Sequence, residues 1–249
     1  DITEPPSFNL SLNGLNVKCN GDCDGSITSS VSGGTIPYSF SWSNGPTTSN
    51  ISSLCPGSYT LTVTDNKGCT IAASAPITEY PALSATTSGL LPSCFGGLDG
   101  TATVSPSGGN SPYQFDWDDP LFQTNATATG LAASTYNVTV TDDTGCTYVT
   151  SYEVINPTLL TVSTTDTAIS CFGVCDGSIT ATGFGGTGAY TYTWDGGLGS
   201  GANHVGTLCA GIYNVTVEDA NGCTVVGFAT VTEPPVLTVT TTDSTVSCN

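Results

Sequence analysis

Apolar and polar residues alternate through the stretch Leu54–Cys69, LCPGSYTLTVTDNKGC. Tyr59, Leu61 and Val63 fall on one face, and Thr60, Thr62 and Thr64 on the other. A period of two is that of a half-buried β-strand. The pattern returns as LAASTYNVTVTDDTGC at Leu131–Cys146 and as LCAGIYNVTVEDANGC at Leu208–Cys223. Each copy closes on an Asp, a short polar step and Gly-Cys, which predicts a turn into another strand. A strand that recurs with its turn and its cysteine predicts a tandem array.

The array has a register. Cys19, Cys94, Cys171 and Cys248 recur at a nearly constant interval, and Glu4, Glu79, Asn156 and Glu233 each stand at one fixed distance ahead of them. This divides the chain into the end of one repeat (residues 1–4), repeats at 5–79, 80–156 and 157–233, and the start of another at 234–249. The register predicts that the array continues on both sides.

Within a repeat, the step from the register cysteine to a tryptophan is constant: Cys19 to Trp42, Cys94 to Trp117, Cys171 to Trp194. So is the step from the Leu of the key stretch to its closing cysteine. Only the step from Trp to Leu varies, Trp42 to Leu54 being two residues shorter than Trp117 to Leu131 or Trp194 to Leu208. The loops 43–53, 118–130 and 195–207 are therefore expected on the surface. The first strand of each repeat is expected to turn Phe8/Leu10, Leu83/Ala85, Leu160/Val162 and Leu237/Val239 inward. A strand after Asp-Gly, a Gly-Gly turn, an aromatic strand (YSFSW, YQFDW, YTYTW), the key strand and a last strand follow. Short strands at this spacing predict an all-β chain of tandem immunoglobulin-like β-sandwich repeats, about seven strands each. The proline-stiffened junctions EPP, EYP and NP predict limited swing between neighbours.

Charge narrows the function. The 249 residues carry 2 Lys+Arg against 20 Asp+Glu, a net charge of −18. Almost nothing is present to neutralise phosphate, which excludes nucleic acid as a partner and disfavours anionic membranes. No apolar run is long enough to insert in a bilayer. Eleven cysteines and few trypsin sites fit an extracellular, cell-surface setting.

Four cysteines per repeat allow three pairings. The second repeat keeps only Cys94 and Cys146, with Leu98 and Ala132 where the others have cysteine. Two cysteines lost together point to partners. The expected bridges are therefore Cys19–Cys69, Cys94–Cys146 and Cys171–Cys223, with Cys23–Cys55 and Cys175–Cys209 as the second set. Cys248 is expected to pair outside the sequence. The common bridge closes a loop of about 50 residues, worth about 4 kcal/mol of chain entropy.

Little else suggests chemistry. The single histidine, His204, lies in one variable loop, and nothing places it with a nucleophile, so the chain is read as non-enzymatic. Asp65, Asp142 and Asp219, and Asp24, Asp99 and Asp176, are expected to cap turns whose glycines take unusual backbone angles. No cofactor is required, and Ca2+ is the candidate cation, with Asp116, Asp118 and Asp119 as its candidate ligands. Sequons occur at Asn9, Asn50, Asn125, Asn137 and Asn214.

The combination CNGDCDGSITSSVSGGTIPYSFSWSNG…LCPGSYTLTVTDNKGC…ITEYP, matched again by CFGVCDGSITATGFGG…YTYTWDGG…LCAGIYNVTVEDANGC…VTEPP, resembles the SprB repeat of giant surface adhesins of gliding Bacteroidetes. The second repeat departs from it at Leu98 and Ala132. The resemblance implies a filamentous glycoprotein exported by the type IX system, displayed on the cell surface and used in gliding and adhesion. It also implies O-glycans at Asp-Ser/Thr sites, here Thr167 and Ser244. The expected function is a structural stalk; the alternative is a set of carbohydrate- or calcium-binding modules using the variable loops. Expected partners are neighbouring repeats, a surface polysaccharide or substratum, and other copies side by side.

Overall fold

A computed structural model of the chain describes residues 7–243. The described residues form strands and turns with no helix, and no segment is a helix long and apolar enough to cross a membrane. The first repeat contributes β1 (Asn9–Leu15), β2 (Gly25–Ser32), β3 (Ser39–Trp42), β4 (Ile51–Leu54), β5 (Gly57–Thr64) and β6 (Thr70–Ile77). The second contributes β7 (Ser84–Leu90), β8 (Gly100–Ser107), β9 (Gln114–Trp117), β10 (Thr127–Leu131), β11 (Ser134–Thr141) and β12 (Thr147–Val154). The third contributes β13 (Thr161–Thr167), β14 (Gly177–Phe184), β15 (Thr191–Trp194), β16 (His204–Leu208), β17 (Gly211–Glu218) and β18 (Thr224–Val231). Each repeat thus has six strands where the spacing suggests about seven.

The strands form two three-stranded antiparallel sheets per repeat: β1-β2-β4 with β3-β5-β6, and the equivalent pairs β7-β8-β10 with β9-β11-β12 and β13-β14-β16 with β15-β17-β18. In the first repeat one hydrophobic cluster joins Ile27, Ile51 and Leu54 of one sheet to Trp42, Leu61, Val63 and Ile77 of the other, so the sheets close face to face as an immunoglobulin-like sandwich. The third repeat repeats this with Ile179, Leu208, Trp194, Val215, Val217 and Val231. The alternation of the key strand explains the packing. Leu61 and Val63 are fully buried while Thr60, Thr62 and Thr64 are only half-buried, because successive side chains leave opposite faces of the pleat.

By contact the chain divides into two compact units: Asp1–Gly89 with Ala102–Ala128 and Thr135–Glu153, and Leu90–Thr101 with Thr129–Ser134 and Val154–Asn249. Phe8, Leu10 and Val162 pack on their cores as expected, and Leu160 is buried. Leu237 and Val239 do not: they are exposed and lie outside any strand. The glycines after Asp24, Asp99 and Asp176 differ from expectation too. None of the three has a positive φ. A Cβ on Gly25 would meet Ile77 Cγ2 at 2.8 Å, and one on Gly177 would meet Val231 Cγ1 at 2.6 Å, so crowding and not backbone angle demands glycine there.

Leu61→Ala empties a site at the centre of the first core and is expected to cost about 2–5 kcal/mol. Ser58→Ala, on the exposed start of the same strand, is expected to stay within about 0.5 kcal/mol. Urea denaturation of the oxidised chain measures both.

Candidate functional site

The repeated feature richest in specific interactions is a clasp built where one repeat hands over to the next. It starts from the turn after the key strand. Asp65, Asp142 and Asp219 are all buried. The carboxylate of Asp142 accepts the N–H groups of Asn110 (2.9 Å), Thr144 (3.0 Å) and Cys146 (2.9 Å), and the Thr144 hydroxyl as well. Asp65 accepts those of Thr35, Lys67 and Cys69, and Asp219 those of Thr187, Asn221 and Cys223. One carboxylate therefore ties the closing cysteine to the Gly-Gly turn across the sandwich. The glycine before each closing cysteine (Gly68, Gly145, Gly222) takes φ of +85°, +87° and +81°, which closes the turn.

These bonds favour the ionised acid. For Asp65 the Thr35 N–H leads in holding the carboxyl below its usual range, against a smaller opposing effect of burial. For Asp142 and Asp219 burial is the largest single influence and pushes upward. The hydrogen bonds together outweigh it, and the net direction is down.

The register cysteine is framed as regularly. The carboxylates of Asp24, Asp99 and Asp176 accept the N–H of Lys18, Ser93 and Ser170, each just before that cysteine. The cysteine carbonyl accepts the N–H of Asp22, Gly97 or Val174. The loop is then fastened to the junction leaving the same repeat: Gly21 N–H donates to Glu79 (2.8 Å), Gly96 N–H to Asn156 (2.9 Å) and Gly173 N–H to Glu233 (3.4 Å). The recurring junction residue that marks the repeat boundary in the sequence is a side-chain cap for this loop.

The junction then leads into the next repeat's turn. Within the first compact unit, Asn20 donates to the Tyr80 carbonyl, Pro81 O accepts Gly109 N–H (2.8 Å), and the following Asn110 N–H binds Asp142. Cys19 and Cys146 are thereby brought together and form a disulfide, with Cα atoms 5.7 Å apart. Within the second unit, Thr158 O accepts Gly186 N–H, Thr187 N–H binds Asp219, and Cys94 is joined to Cys223 at a Cα distance of 5.6 Å. The Lys18 carbonyl accepts the Thr144 hydroxyl, and the Ser93 carbonyl accepts the Asn221 amide. A cleft of about 290 Å³ lies beside the second bridge, lined among others by Phe95, Leu159 and Thr224.

The expected pairings Cys19–Cys69, Cys94–Cys146 and Cys171–Cys223 are therefore corrected. Cys19 and Cys94 bond forward into the next repeat, and Cys69 and Cys171 are free and exposed. The structure does join Cys23 to Cys55 and Cys175 to Cys209 inside a repeat. Strand length is the reason. Gly57 pairs with Ile77 at one end of the β5–β6 hairpin, and Thr64 pairs with Thr70 at the other. That separation is about 23 Å. Cys55 and Cys23 sit at the first end, and Cys69 follows the second. Cys19 lies four residues from Cys23, a reach of at most about 14 Å, while a disulfide needs Cα atoms within about 7 Å. The strand length is legible in the sequence, but which strand ends meet is not. The joint replacement of cysteine by Leu98 and Ala132 identifies which cysteines pair within a repeat, but says nothing about where the remaining two go. Cys248 lies outside the described residues.

In the acidic cluster of the second repeat, Asp118 and Asp119 are engaged in hydrogen bonds. Asp119 is buried, and its carboxylate accepts the N–H groups of Leu121 and Gln123 and the Gln123 amide. Burial pushes its pKa up, but these bonds outweigh it and lower it overall. Asp118 accepts both the backbone and side-chain N–H of Asn137, as Asp195 does from Asn214. Asp116 lies on the exposed face of β9. Oxygens committed to N–H donors are poor cation ligands, and among the described residues no group of three His, Cys, Asp or Glu side chains is placed to hold a metal.

The variable loops are pinned at their centres. The indole N–H of Trp42, Trp117 and Trp194 donates to the carbonyls of Thr48, Asn125 and Ala202, each at 2.9 Å. His204 lies in β16 with its Nδ1 3.0 Å from the Thr180 hydroxyl. Thr167, at the end of β13, is exposed, and Ser244 lies outside the described residues.

The family model described as the SprB repeat matches residues 15–47, 92–122 and 161–199. No curated protein matches the chain. Among solved structures, one reported under "host cell surface retention of a 1.5-MDa bacterial ice-binding adhesin" is 14% identical and covers 92% of this chain and 98% of its own, with a TM-score of 0.48. The N-terminal eight Ig domains of Down Syndrome Cell Adhesion Molecule are 12% identical over 89% of this chain, with a TM-score of 0.33. This chain covers 33% of that structure. A tetra-tandem repeat from the extending region of a large adhesion protein is 14% identical over 90% of this chain and 74% of its own, with a TM-score of 0.24.

Asp142→Asn replaces an acceptor with a group that points an N–H at other donors, and is expected to cost about 1–3 kcal/mol, against under about 0.5 kcal/mol for the exposed Asp143→Asn. Chemical denaturation of the oxidised chain measures both. Folded-state pKa values of Asp65, Asp119, Asp142 and Asp219 lie below the ordinary carboxylate value. Their contribution is complete above the unfolded value of about 3.9 and is lost as pH falls through the lower folded values. Thermal melts should therefore hold level from neutrality to about pH 5 and decline steeply below about pH 4.

Proposed function

We propose that this chain, which carries three SprB repeats, serves as a load-bearing spacer in an extracellular surface adhesin and does no catalysis. The observation that carries this reading is the pair of bridges Cys19–Cys146 and Cys94–Cys223, each joining one repeat to the next. A binding or catalytic module needs a stable fold, but gains nothing from a second covalent link to its neighbour. A chain under tension does. In the chain-entropy account, a bridge with a sequence separation of 127 contributes about 5 kcal/mol. The acidic, nearly lysine-free surface suits exposure outside the cell.

The SprB resemblance supports a finer reading: a filament exported by the type IX system, moved along the surface of a gliding cell, and O-glycosylated at Thr167 and Ser244. The spacer calls on no cofactor. Its partners are neighbouring repeats, with a polysaccharide or other substratum bound elsewhere in the protein.

Force spectroscopy tests the load-bearing role. Pulled by its ends, the unreduced chain should extend to roughly two fifths of the contour it reaches after reduction, because the two bridges short-circuit the backbone. Equal extension before and after reduction refutes it. The competing reading is tested on the same oxidised chain. A spacer should show no melting shift with Ca2+ at about 1 mM, the weak end of extracellular calcium sites, and no binding on a glycan array. A shift of several degrees, or glycan binding lost on replacing residues 43–53, 118–130 or 195–207, would transfer the function to the variable loops. Antibody labelling of intact, unpermeabilised cells checks surface display, and intact mass checks the sugars.

A further inference from the structure

Cys69 and Cys171 are free and exposed, yet each occupies a position that is bonded elsewhere in the same structure. Cys69 is the counterpart of Cys146 and Cys223, both of which receive a register cysteine. Its frame is complete: the Asp65 carboxylate holds the Cys69 and Thr35 N–H groups at 2.9 Å, as Asp142 and Asp219 do in the bonded copies. Cys171 is the counterpart of Cys19 and Cys94, both of which reach a closing cysteine. Its loop is also complete, with Ser170 on Asp176, Val174 N–H on the Cys171 carbonyl, and Gly173 on Glu233. Both thiols are presented in the geometry that the bonded pairs use.

We infer that Cys69 and Cys171 are the two complementary halves of an inter-repeat bridge: Cys69 takes the register cysteine of another SprB repeat, and Cys171 takes the closing cysteine of another. The partner is a repeat of this same kind, a neighbour in a longer chain being favoured over a second copy because both bridges already formed join successive repeats of one chain. The chemistry is an ordinary two-electron oxidation. One cysteine thiolate attacks the disulfide of an oxidised dithiol catalyst or of oxidised glutathione. The second thiolate attacks the cysteine sulfur of the resulting mixed disulfide and expels the oxidant's remaining sulfur as a thiolate. Two protons leave the cysteines, and two electrons reduce the oxidant to its thiol pair.

The covalent topology that follows is not the one-per-domain staple of an ordinary secreted sandwich. Each closing cysteine leads to the next register cysteine through a short connector of constant length: Cys69 to Cys94, and Cys146 to Cys171. Bridges and connectors then alternate along two interleaved tracks. One runs through Cys19–Cys146, the connector 147–170, Cys171 and onward. The other runs through Cys69, the connector 70–93, and Cys94–Cys223. Either track advances two repeats on about 90 Å of extensible backbone, where the unbridged chain from Cys19 to Cys171 stretches to about 530 Å. Unfolding any one repeat would release very little length. The inference deepens the load-bearing reading but is separable from it: if the free thiols fail to pair as proposed, the two bridges already formed still carry that reading.

The test uses the purified chain with Cys248→Ser, so that Cys69 and Cys171 are the free thiols, exposed to oxidised glutathione. The expected result is a ladder of multimers on non-reducing gels. Protease mapping by mass spectrometry should find Cys69–Cys171 peptides at least tenfold above Cys69–Cys69 or Cys171–Cys171. Adding Cys69→Ser or Cys171→Ser should abolish the ladder while leaving Cys19–Cys146 and Cys94–Cys223 intact. Free thiols after oxidation, symmetric linkages, or a Cys69–Cys171 bond inside one chain would overturn the inference. In protein taken from its source, the same mapping separates the two partners. A link to an adjacent repeat leaves one chain on a non-reducing gel, and a link to a second copy gives multimers that reductant dissolves. Finding neither also overturns it.

Discussion

The buried carboxylate at the hairpin turn is the constraint from which the rest of each repeat follows. Asp65, Asp142 and Asp219 sit where two chain reversals meet, and each satisfies backbone N–H groups from both. Without that acceptor the N–H groups of the Gly-Gly turn and the hairpin turn would lose the partner they share, and the two reversals would no longer be tied together. With it, the closing cysteine is held at the turn by its own N–H, and the incoming junction has a carbonyl seat against Gly109 or Gly186. Specificity of the inter-repeat bridge is thus a result of ordinary turn chemistry repeated at a fixed interval.

The other end of the repeat solves a different problem. Polar caps hold the register loop: an Asp from the same loop, and Glu79, Asn156 or Glu233 from the departing junction. The junction is therefore shared. Its side chain closes one repeat and its backbone docks on the next. The second bridge, Cys23–Cys55 or Cys175–Cys209, braces this end only. The middle repeat manages without it, consistent with a role in local stiffness and not in the sandwich core.

The acidic composition meets the same economy. Of the recurrent aspartates, those at the turns and loops accept backbone N–H groups. Asp118 and Asp195 accept from the paired key strand, where Ser43 does the same through its hydroxyl. Asp118 and Asp119, which look like part of an open cation site in the sequence, accept backbone N–H groups in the fold.

Much was legible without coordinates. The period-two faces placed Leu61 and Val63 in the core and the threonines off it, because alternation is a local property of extended backbone. The spacing of Cys, Trp and Leu marked the repeats and the surface loops, and the shared absence at Leu98 and Ala132 named a true disulfide pair. What the sequence left undecided was everything that depends on which ends of strands meet. Cys19 and Cys69 lie in one repeat but at opposite ends of a hairpin, and Cys19 and Cys146 lie in different repeats but face each other across one junction. Sequence distance measures the path along the chain. A disulfide, a carboxylate cap or a metal site requires a few ångströms through space, and only the tertiary arrangement of the turns decides that.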